Sequence, residues 1–303
     1  MNKVTVIGSI NLDRTIRVAR MAKPGETLHT KEIFTVGGGK GANQAIAAQR
    51  LGADTSFIGA VGEDREVSQT MLELLHEDGI NCQGIATLSN HKTGQAFVIV
   101  DDESENLIYV HGGANMAFKP EHVDQNRGLI TQSDFVVAQF ETPIDCTTEA
   151  FKIARQNGVV TILNPAPAID QIPEELLKVT DMIVPNETET EVITGIKITD
   201  QASMINAAEK FHALGIKAVL ITLGSQGTFY SYAGKTAIIP ALKVNAVDTT
   251  AAGDTFIGAL SSVLNKDFSN LEDAIKFSNK ASSITVQRFG AQPSIPYLKE
   301  MEA

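Results

Sequence analysis

Short apolar runs of strand length alternate with longer amphipathic segments along most of the chain. Runs such as Val4–Ile10 and Lys217–Thr222 predict buried strands, whereas Ala42–Leu51 and Gln201–Leu214 predict helices. This alternation is typical of a mainly parallel sheet covered by helices, so it predicts a doubly wound α/β fold over residues 1–303 as a single domain. The other predicted elements are the strands Thr55–Ala60, Phe135–Gln139, Val159–Leu163 and Asp181–Pro185, and the helices Cys146–Gln156, Pro173–Lys178 and Gly253–Asn265.

Two stretches near the start interrupt this alternation, because strand-like segments follow one another there with no helix between them. These segments are Arg14–Arg20, Thr27–Phe34, Gln95–Val100 and Asn106–Val110. We expect them to form a small β-sheet, within about residues 12–36 and 93–111, that projects from the main sheet as a lid. An isolated small sheet leaves an apolar face uncovered, so we also expect the lid to pair with its twin in a homodimer.

The charge balance restricts the possible partners. The chain has 25 Lys and Arg against 36 Asp and Glu, and its net charge of −11 repels nucleic acid and anionic membranes. No apolar run reaches the ~20 residues of a membrane span, and Met1–Ile10 is too short and polar for a signal peptide, so we expect a cytoplasmic protein. Cys82 and Cys146 form no spaced motif and the histidines have no metal-ligand spacing, which argues against a zinc enzyme.

The glycine-rich segment Gly37–Asn43 follows a strand and begins a helix. At such a position, free backbone N–H groups and the positive end of the helix dipole would face a ligand. The segment also fits the dinucleotide fingerprint G-x-G-x-x-A, although the preceding strand belongs to a hairpin and not to a βαβ unit. The polar side chains of Lys40 and Asn43 suit recognition of hydroxyl groups better than of a pyrophosphate alone.

The most informative stretch is Asp248–Phe256, which reads Asp-Thr-Thr-Ala-Ala-Gly-Asp-Thr-Phe. Its small residues allow a tight turn that presents consecutive N–H groups at the start of the following helix, and these form an anion cradle. A carboxylate beside an anion requires a reason. Phosphoryl transfer to an alcohol supplies one, because Asp254 would take the hydroxyl proton while the N–H groups hold the phosphate. The alternative is that Asp254 only caps its own helix.

Paired acidic residues occur in Asn186-Glu187-Thr188-Glu189, after the predicted strand Asp181–Pro185. Acids in a first helical turn usually do no more than favour the helix dipole. At the carboxyl end of a parallel strand they could also hold the water molecules of a Mg²⁺ ion. Both interpretations remain open from these residues alone.

Four motifs resemble, in this order, the ribokinase family of carbohydrate kinases: Asn11-Leu12-Asp13, the Gly37–Asn43 segment, Asn186–Glu189 and Asp248–Asp254. Similar stretches at Asn164–Ala168, Thr222–Gly227 and Gly290–Ser294 extend the resemblance from about residue 3 to residue 296. The resemblance implies a ribokinase-like fold with a β lid, and transfer of the γ-phosphate of ATP to the 5-hydroxyl of D-ribose. It also implies Mg²⁺ and a monovalent cation, normally potassium, as cofactors.

The resemblance further implies roles for individual residues. Asp254 matches the catalytic base, next to an anion hole formed by Ala251, Ala252 and Gly253. The positions that match sugar-binding residues are Asn11, Asp13, Gly39, Lys40, Asn43 and Glu141. The positions that match the ATP and Mg²⁺ side are Asn186, Glu189, Thr222, Leu223, Gly224, Ser225, Gln226, Gly227 and Gly253, with Asn279 beside the adenine. The positions that match the monovalent-cation site are Asp248, Thr250, Thr285, Arg288, Gly290 and Ser294.

Some positions depart from the family pattern, namely Leu12, Thr250, Asn279, Thr285 and Phe289. Cation ligands at residues 250 and 285 would be backbone carbonyls, so those side chains matter little for the ion, whereas Asn279 could alter nucleotide preference. Three alternatives stay open: a kinase for deoxyribose, fructose or a nucleoside, a Rossmann-type NAD oxidoreductase built on the glycine-rich segment, and a sugar-binding sensor without catalysis.

Overall fold

The computed structural model describes residues 1–103 and 105–302. The strands are β1 Lys3–Ile7, β2 Asn11–Arg17, β3 Glu32–Gly38, β4 Asp54–Gly62, β5 Asn81–Leu88, β6 Gly94–Val100, β7 Asn106–His111, β8 Phe135–Ala138, β9 Val160–Leu163, β10 Met182–Ile183, β11 Ala218–Thr222, β12 Thr228–Tyr232 and β13 Lys235–Ile239. The helices are α1 Lys40–Arg50, α2 Arg65–Glu77, α3 Ala114–Ala117, α4 Pro120–Gln125, α5 Arg127–Thr131, α6 Ile144–Gln156, α7 Glu174–Leu177, α8 Glu187–Thr194, α9 Gln201–Ala213, α10 Ala252–Val263 and α11 Leu271–Thr285.

The large sheet has the strand order β13-β12-β11-β10-β9-β8-β1-β4-β5 in the described part of the chain. Pairing is parallel from β5 to β11, and β12 and β13 add an antiparallel edge. The order of connection reverses between β1 and β8, since the chain runs outward from β1 through β4 on one side and from β8 through β9 on the other. Open α/β sheets bind ligands at the carboxyl ends of the strands beside such a reversal.

Apolar residues cover both faces of this sheet, which is why its strands are continuous hydrophobic runs. All four residues of β8 are buried, and so are all four of β9. Helices α1 and α10 contribute to the core on one face, and α6 and α9 contribute to the core on the other. The predicted doubly wound α/β fold is therefore confirmed.

The small sheet has the order β3-β2-β6-β7, with β2 and β6 parallel and the outer pairs antiparallel. The predicted first hairpin was displaced: β2 begins at Asn11 instead of Arg14, and β3 continues to Gly38. The reason is the pairing at the base of the sheet, where Asn11 lies opposite both Gly38 and Gly94. Long-range pairing of this kind extended the strands beyond their most apolar residues.

The first strand of the large sheet is shorter than predicted, because it ends at Ile7 and not at Ile10. After Gly8 the chain leaves the sheet, and the carbonyl of Ser9 accepts the N–H of Ala42 at 2.9 Å. The end of β1 is thereby fixed against the start of α1. In the described residues, no helix is both long and apolar enough to cross a membrane.

Candidate active site

The start of helix α1 lies directly above the end of β1. Its N-cap, Gly39, has φ = +87°, and a Cβ there would approach the N atom of Asn11 to 2.8 Å and the carbonyl oxygen of Ser9 to 2.9 Å. A residue with a side chain would be both strained and obstructed at this position. Glycine at 39 therefore allows α1 to approach the base of the small sheet.

The first N–H groups of α1 are occupied by protein acceptors, which corrects the expectation that they face a ligand. The N–H of Lys40 donates to Glu141 Oε2 at 3.0 Å, and the N–H of Gly41 reaches Ser9 Oγ at 3.4 Å. A carboxylate in this place would repel a pyrophosphate. The glycine-rich segment also follows β3 of the small sheet and not the first strand of a βαβ unit, so the dinucleotide-fingerprint interpretation is wrong.

The start of helix α10, unlike that of α1, has backbone N–H groups that are free to bind a ligand. Ala251, its N-cap, has φ = +60°, an uncommon backbone conformation for a residue with a side chain. Within residues 1–103 and 105–302, no hydrogen bond engages the N–H groups of Gly253 and Asp254. A Cβ at Gly253 would meet nothing within 4 Å, so there is open space beside this helix end. Free N–H groups next to open space form an anion-binding site.

Asp254 lies in the first turn of α10, but the hydrogen bonds that its carboxylate accepts from described residues come from α1 and not from the N–H groups of its own helix. Instead, Asn43 Nδ2 donates to Oδ2 and Gln44 Nε2 donates to Oδ1, both at 3.0 Å. The residue is only 8% exposed. Burial raises the pKa of Asp254, and the charge of Lys40 and the two amide donors oppose that rise. The helix-cap interpretation of Asp254 is therefore excluded by its hydrogen bonds.

The predicted sugar residues include two buried acceptor atoms that have no partner in the part of the chain that the structure describes, Asp13 Oδ1 and Asn43 Oδ1. Asn11 has a different environment, because Asn115 Nδ2 donates to its Oδ1 at 2.8 Å. Burial raises the pKa of Asp13 to about 7, and the nearby charges of Glu141 and Asp254 add to this. Unsatisfied acceptors are suited to the hydroxyl donors of a sugar.

A cavity of about 200 Å³ connects the start of α10 with the ends of β9, β10 and β11. It is lined by Lys40, Asn164, Ala166, Val184, Asn186, Glu189, Thr222, Thr249, Ala251, Ala252, Gly253, Asp254 and Ile257. Burial alone would lower the pKa of Lys40, but the carboxylates of Asp254, Glu141 and Glu189 outweigh it and raise that pKa. Lys40 is thus held in its charged form among acidic groups, in the same cavity as the free N–H groups of α10.

Asn186 and Glu189 form a reciprocal capping box at the start of α8. The N–H of Glu189 donates to Asn186 Oδ1 at 2.8 Å, and the N–H of Asn186 donates to Glu189 Oε2 at 2.8 Å. This geometry accounts for the acids as helix-terminus residues. Glu189 is nevertheless buried, its pKa is raised by that burial, and it lines the cavity that contains Asp254. A buried carboxylate facing a cavity is also a suitable ligand for a hydrated divalent cation.

The other predicted nucleotide residues lie farther along the same edge of the sheet. Thr222 lines the cavity, Leu223 is buried, and Gly224–Gln226 form a single exposed turn of 3₁₀ helix before Gly227. The side chain of Asn279 has protein partners: Thr228 Oγ1 donates to it, and it donates to the carbonyls of Ile239 and Pro240. Its amide ties α11 to the antiparallel edge strands.

The predicted cation residues are partly brought together. Asp248 Oδ1 accepts the N–H and the hydroxyl of Thr250 at 2.9 and 2.6 Å, and Oδ2 accepts the N–H of Gly290 at 2.9 Å. Hydrogen bonds from Thr250 and Gly290 outweigh partial burial and lower the pKa of Asp248. The side chains of the remaining three point to protein partners: Thr285 to Thr255, Arg288 to Glu300 and Ser294 to the carbonyl of Ala291.

Three buried amides around Asp254 were not identified as site residues from the sequence. Gln44 contacts the carboxylate directly, Gln139 contacts Gln44, and Asn164 contacts Gln44 and lines the cavity. Gln44 follows Asn43 in the motif, and Asn164 begins another stretch on which the resemblance depends. In two of these contacts, Gln44 with Asn164 and Gln44 with Asp254, the partners lie 120 or more positions apart in the sequence, so only the fold reveals them.

Known proteins are similar to this chain both in sequence and in structure. The model of the pfkB family of carbohydrate kinases matches residues 1–298. A ribokinase of Staphylococcus aureus is 54% identical over 99% of this chain and 98% of its own length. A ribokinase of Haemophilus influenzae is 45% identical over 98% of this chain and 96% of its own length. The structure of Arabidopsis thaliana ribokinase complexed with ribose and ATP is 33% identical, with a TM-score of 0.93 over 99% of this chain and 97% of that one.

The family model extends over nearly the whole chain, and these relatives match it from end to end. The fold places the Asp254 segment, the glycine-rich segment and the Asn186–Glu189 segment around one cavity, as a kinase site requires. The chain belongs to the pfkB family of carbohydrate kinases.

Proposed function

We propose that this protein transfers the γ-phosphate of ATP to the 5-hydroxyl of D-ribose and forms ribose 5-phosphate. The observation that carries this function is the buried carboxylate of Asp254, held by two amide donors beside the free N–H groups of α10. Full-length relatives of 45–54% identity are ribokinases, and the Arabidopsis enzyme of similar structure is described with ribose and ATP. Both findings support ATP-dependent phosphorylation of ribose.

The residues in and near the cavity have separate tasks in this reaction. Asp254 accepts the proton of the 5-hydroxyl, which increases the nucleophilicity of the oxygen as it approaches the phosphorus. The N–H groups of Gly253 and Asp254, together with the dipole of α10, stabilise the charge on the transferring phosphoryl group. Lys40 adds a positive charge in the same cavity. Asp13 and Asn43 accept hydrogen bonds from the sugar hydroxyls and hold the 5-hydroxyl near Asp254.

ATP-dependent phosphoryl transfer uses a divalent metal such as Mg²⁺, which neutralises charge on the phosphates. Glu189 is the carboxylate that best fits the water shell of this ion, because it is buried and faces the cavity. A potassium ion would lie farther from the sugar, between Asp248 and the segment that begins at Gly290. The hydrogen bond from Gly290 to Asp248 supports this position, since it holds the two segments together.

The small sheet supports the proposal of a homodimer. Its outer strand β7 exposes Leu107 and Tyr109 on one face and Ile108 and Val110 on the other, each by 47–61%. Large apolar side chains clustered on one exposed sheet are typical of a protein interface. A second copy of the chain would cover them.

The first prediction concerns catalysis. Asp254→Asn keeps the shape of the site but provides no base for the hydroxyl proton, so we expect kcat for ribose to fall by about 10²- to 10⁴-fold while both substrates still bind. Steady-state ADP release and calorimetric titration measure the two effects. Asp273→Asn, an exposed residue on α11, is the matched control. If the Asp254→Asn variant kept more than about a tenth of the wild-type kcat, Asp254 would not be the base.

The second prediction concerns the raised pKa of Asp13, which is about 7 in the folded protein and 3.8 as its ordinary value. Between these values the folded protein binds more protons than the unfolded chain, so its free energy of unfolding falls as the pH rises from 4 to 7. We therefore expect Asp13→Asn to raise Tm at pH 8 and to change it little at pH 4, while KM for ribose increases. Calorimetric scans at the two pH values test this. A lower Tm for the variant at pH 8 would contradict the buried-charge interpretation.

A third prediction separates the two interpretations of the acids on α8. Glu189→Gln removes one charge from a group that lines the cavity but keeps an oxygen for its capping contact, so the Mg²⁺ concentration for half-maximal rate should increase. KM for ribose should change less. Glu187→Gln, in the same helical turn, is the control. Unchanged Mg²⁺ midpoints in both variants would leave these residues with a helix-terminus role alone.

The fourth prediction concerns potassium. We expect KCl to increase kcat or the apparent affinity for ATP, because an ion beside Asp248 would stiffen the loop that precedes the free N–H groups of α10. Initial rates are measured against KCl at an ionic strength held constant with a bulky organic cation. Asp248→Ala should lose the activation. Activation that persists in this variant, or its absence in the wild type, would rule out this site.

The fifth prediction concerns assembly. Leu107→Glu combined with Ile108→Glu places a charge on each face of β7, so we expect a dimeric wild type and a monomeric variant in sedimentation velocity experiments. Leu214 is a leucine of comparable exposure on the large part of the molecule, 41% against 47% for Leu107, so the Leu214→Glu variant should remain dimeric. A variant with both substitutions that still sediments as the wild type does would show that the small sheet is not the interface.

A further inference from the structure

The carboxylate of Asp254 is held by neighbouring residues of one helix. Asn43 and Gln44 both belong to α1, and each donates to a different oxygen of the carboxylate at 3.0 Å. Asn43 is a predicted sugar residue. Gln44 is completely buried and has no exposed surface with which to contact a substrate. Its role must therefore be exerted through the groups that it touches.

The orientation of the Gln44 amide is determined by the hydrogen-bond acceptors around it. The carbonyl of Val184 can only accept, so Asn164 faces it with Nδ2, at 3.0 Å. This leaves Asn164 Oδ1, also an acceptor, facing Gln44 at 3.1 Å, so Gln44 presents Nε2 there. The second hydrogen of Gln44 Nε2 points to Asp254 Oδ1.

The opposite end of the Gln44 amide is fixed as well. Gln139 Nε2 donates to Gln44 Oε1 at 2.5 Å. If Gln44 were rotated by half a turn, its oxygen would face the acceptor of Asn164, and its nitrogen would face Gln139 Nε2 unless Gln139 rotated as well, since Gln139 Oε1 has no partner among the described residues. Gln139 is itself completely buried at the end of β8, so water cannot repair such a mismatch.

We infer that Gln44 is a positioning residue for Asp254, and that the buried amides of Gln139 and Asn164 act through it to keep an N–H directed at the carboxylate. The inference rests on the proposed role of Asp254 as the base. An N–H donor favours the ionised carboxylate, because a proton on Oδ1 would face another hydrogen. The two donors also restrict rotation of the carboxylate, and small errors in the position of a reacting group are costly for the rate.

Other charged groups also influence the ionisation of the Asp254 carboxylate. Burial raises the pKa of Asp254, Lys40 on α1 lowers it, and Glu141 after β8 raises it. Asp13 on β2 and Glu189 on α8 also interact with its charge. None of these residues contacts Asp254 through a hydrogen bond in the described part of the chain. Gln44 and Asn43 supply the direct contacts, and Gln44 is the one held by other side chains on both sides.

The test is the pH dependence of kcat for Gln44→Met, which keeps the length of the side chain and removes the donor. We expect kcat for ribose to fall by about 10- to 100-fold, with smaller changes in KM, and the acidic limb of the kcat profile to move to higher pH. Gln139→Met, one contact farther from Asp254, should move the limb in the same direction by a smaller amount. Gln49→Met on the same helix is the matched control, because among the described residues the side chain of Gln49 accepts the N–H of Thr55 and has no contact with Asp254 or its amide donors.

The outcomes are distinct. A wild type without ribose phosphorylation would refute the proposed function, and an Asp254→Asn variant that retains it would refute the role of Asp254 as the base; either result would refute this inference as well. If the wild type is active but the acidic limb of the Gln44→Met variant is not shifted, the inference alone is refuted. A fall in kcat without a shift would not rescue it, because loss of packing could lower kcat without moving the limb. Should Gln44→Met fail to fold, the Gln139→Met profile decides: a shift supports the inference and an unshifted limb overturns it.

Discussion

The close approach of helices α1 and α10 is the constraint on which the rest of the site depends. A Cβ at Gly258 of α10 would lie 2.4 Å from Ala47 Cβ and 2.7 Å from the carbonyl oxygen of Gln44. Because Gly258 has no side chain and Ala47 a small one, the two helices can touch along their lengths. This contact brings Asn43 and Gln44 to hydrogen-bond distance from Asp254. In the proposed function, α1 carries residues of the sugar side and α10 those of the phosphate side, so the packing of the two helices would set the distance between the two substrates.

The charge distribution explains why the site needs cations in addition to its own groups. Asp254 and Glu189 line a cavity that has to receive a nucleotide with several negative charges, and the carboxylates of Asp13 and Glu141 interact with the charge of Asp254. Lys40 offsets part of that charge, and the dipole of α10 offsets more near the phosphoryl group. The net charge of the chain, −11, gives no long-range attraction for an anion. A divalent metal carried with the nucleotide reverses this balance locally.

Sequence patterns predicted much of this architecture, because buried parallel strands and amphipathic helices have distinct periodicities. The alternation gave the doubly wound fold, and the helices Cys146–Gln156 and Gln201–Leu214 were placed to within two residues. The strand ends at the base of the small sheet were misplaced, because pairing of Asn11 with Gly94 is set by tertiary contacts and not by local preference. Motif residues such as Asp254 could be selected because a carboxylate next to an anion cradle is chemically unusual.

The contacts that hold those residues were beyond sequence reasoning. Glutamines are ordinary surface residues, and nothing local distinguishes Gln44 and Gln139 from others that remain exposed. The N–H of Lys40 is another example. It lies at the start of a helix, where N–H groups are usually free, but it donates to the carboxylate of Glu141, about a hundred positions later in the chain. Such contacts are created when distant segments meet, so a pattern in one segment cannot reveal them.

In the proposed reaction, the amide contacts also solve a chemical problem of Asp254 as the base. A buried carboxylate tends to take up a proton, and an ion pair would prevent this, but a close cation would also make the carboxylate a weaker base. Neutral amides stabilise the charge less strongly than a salt bridge does, so they favour ionisation while the oxygens stay basic. Lys40 acts on Asp254 through its charge, whereas Asn43 and Gln44 provide the hydrogen bonds. The cation is thereby left available for the phosphoryl group, and the carboxylate is left available for the hydroxyl proton.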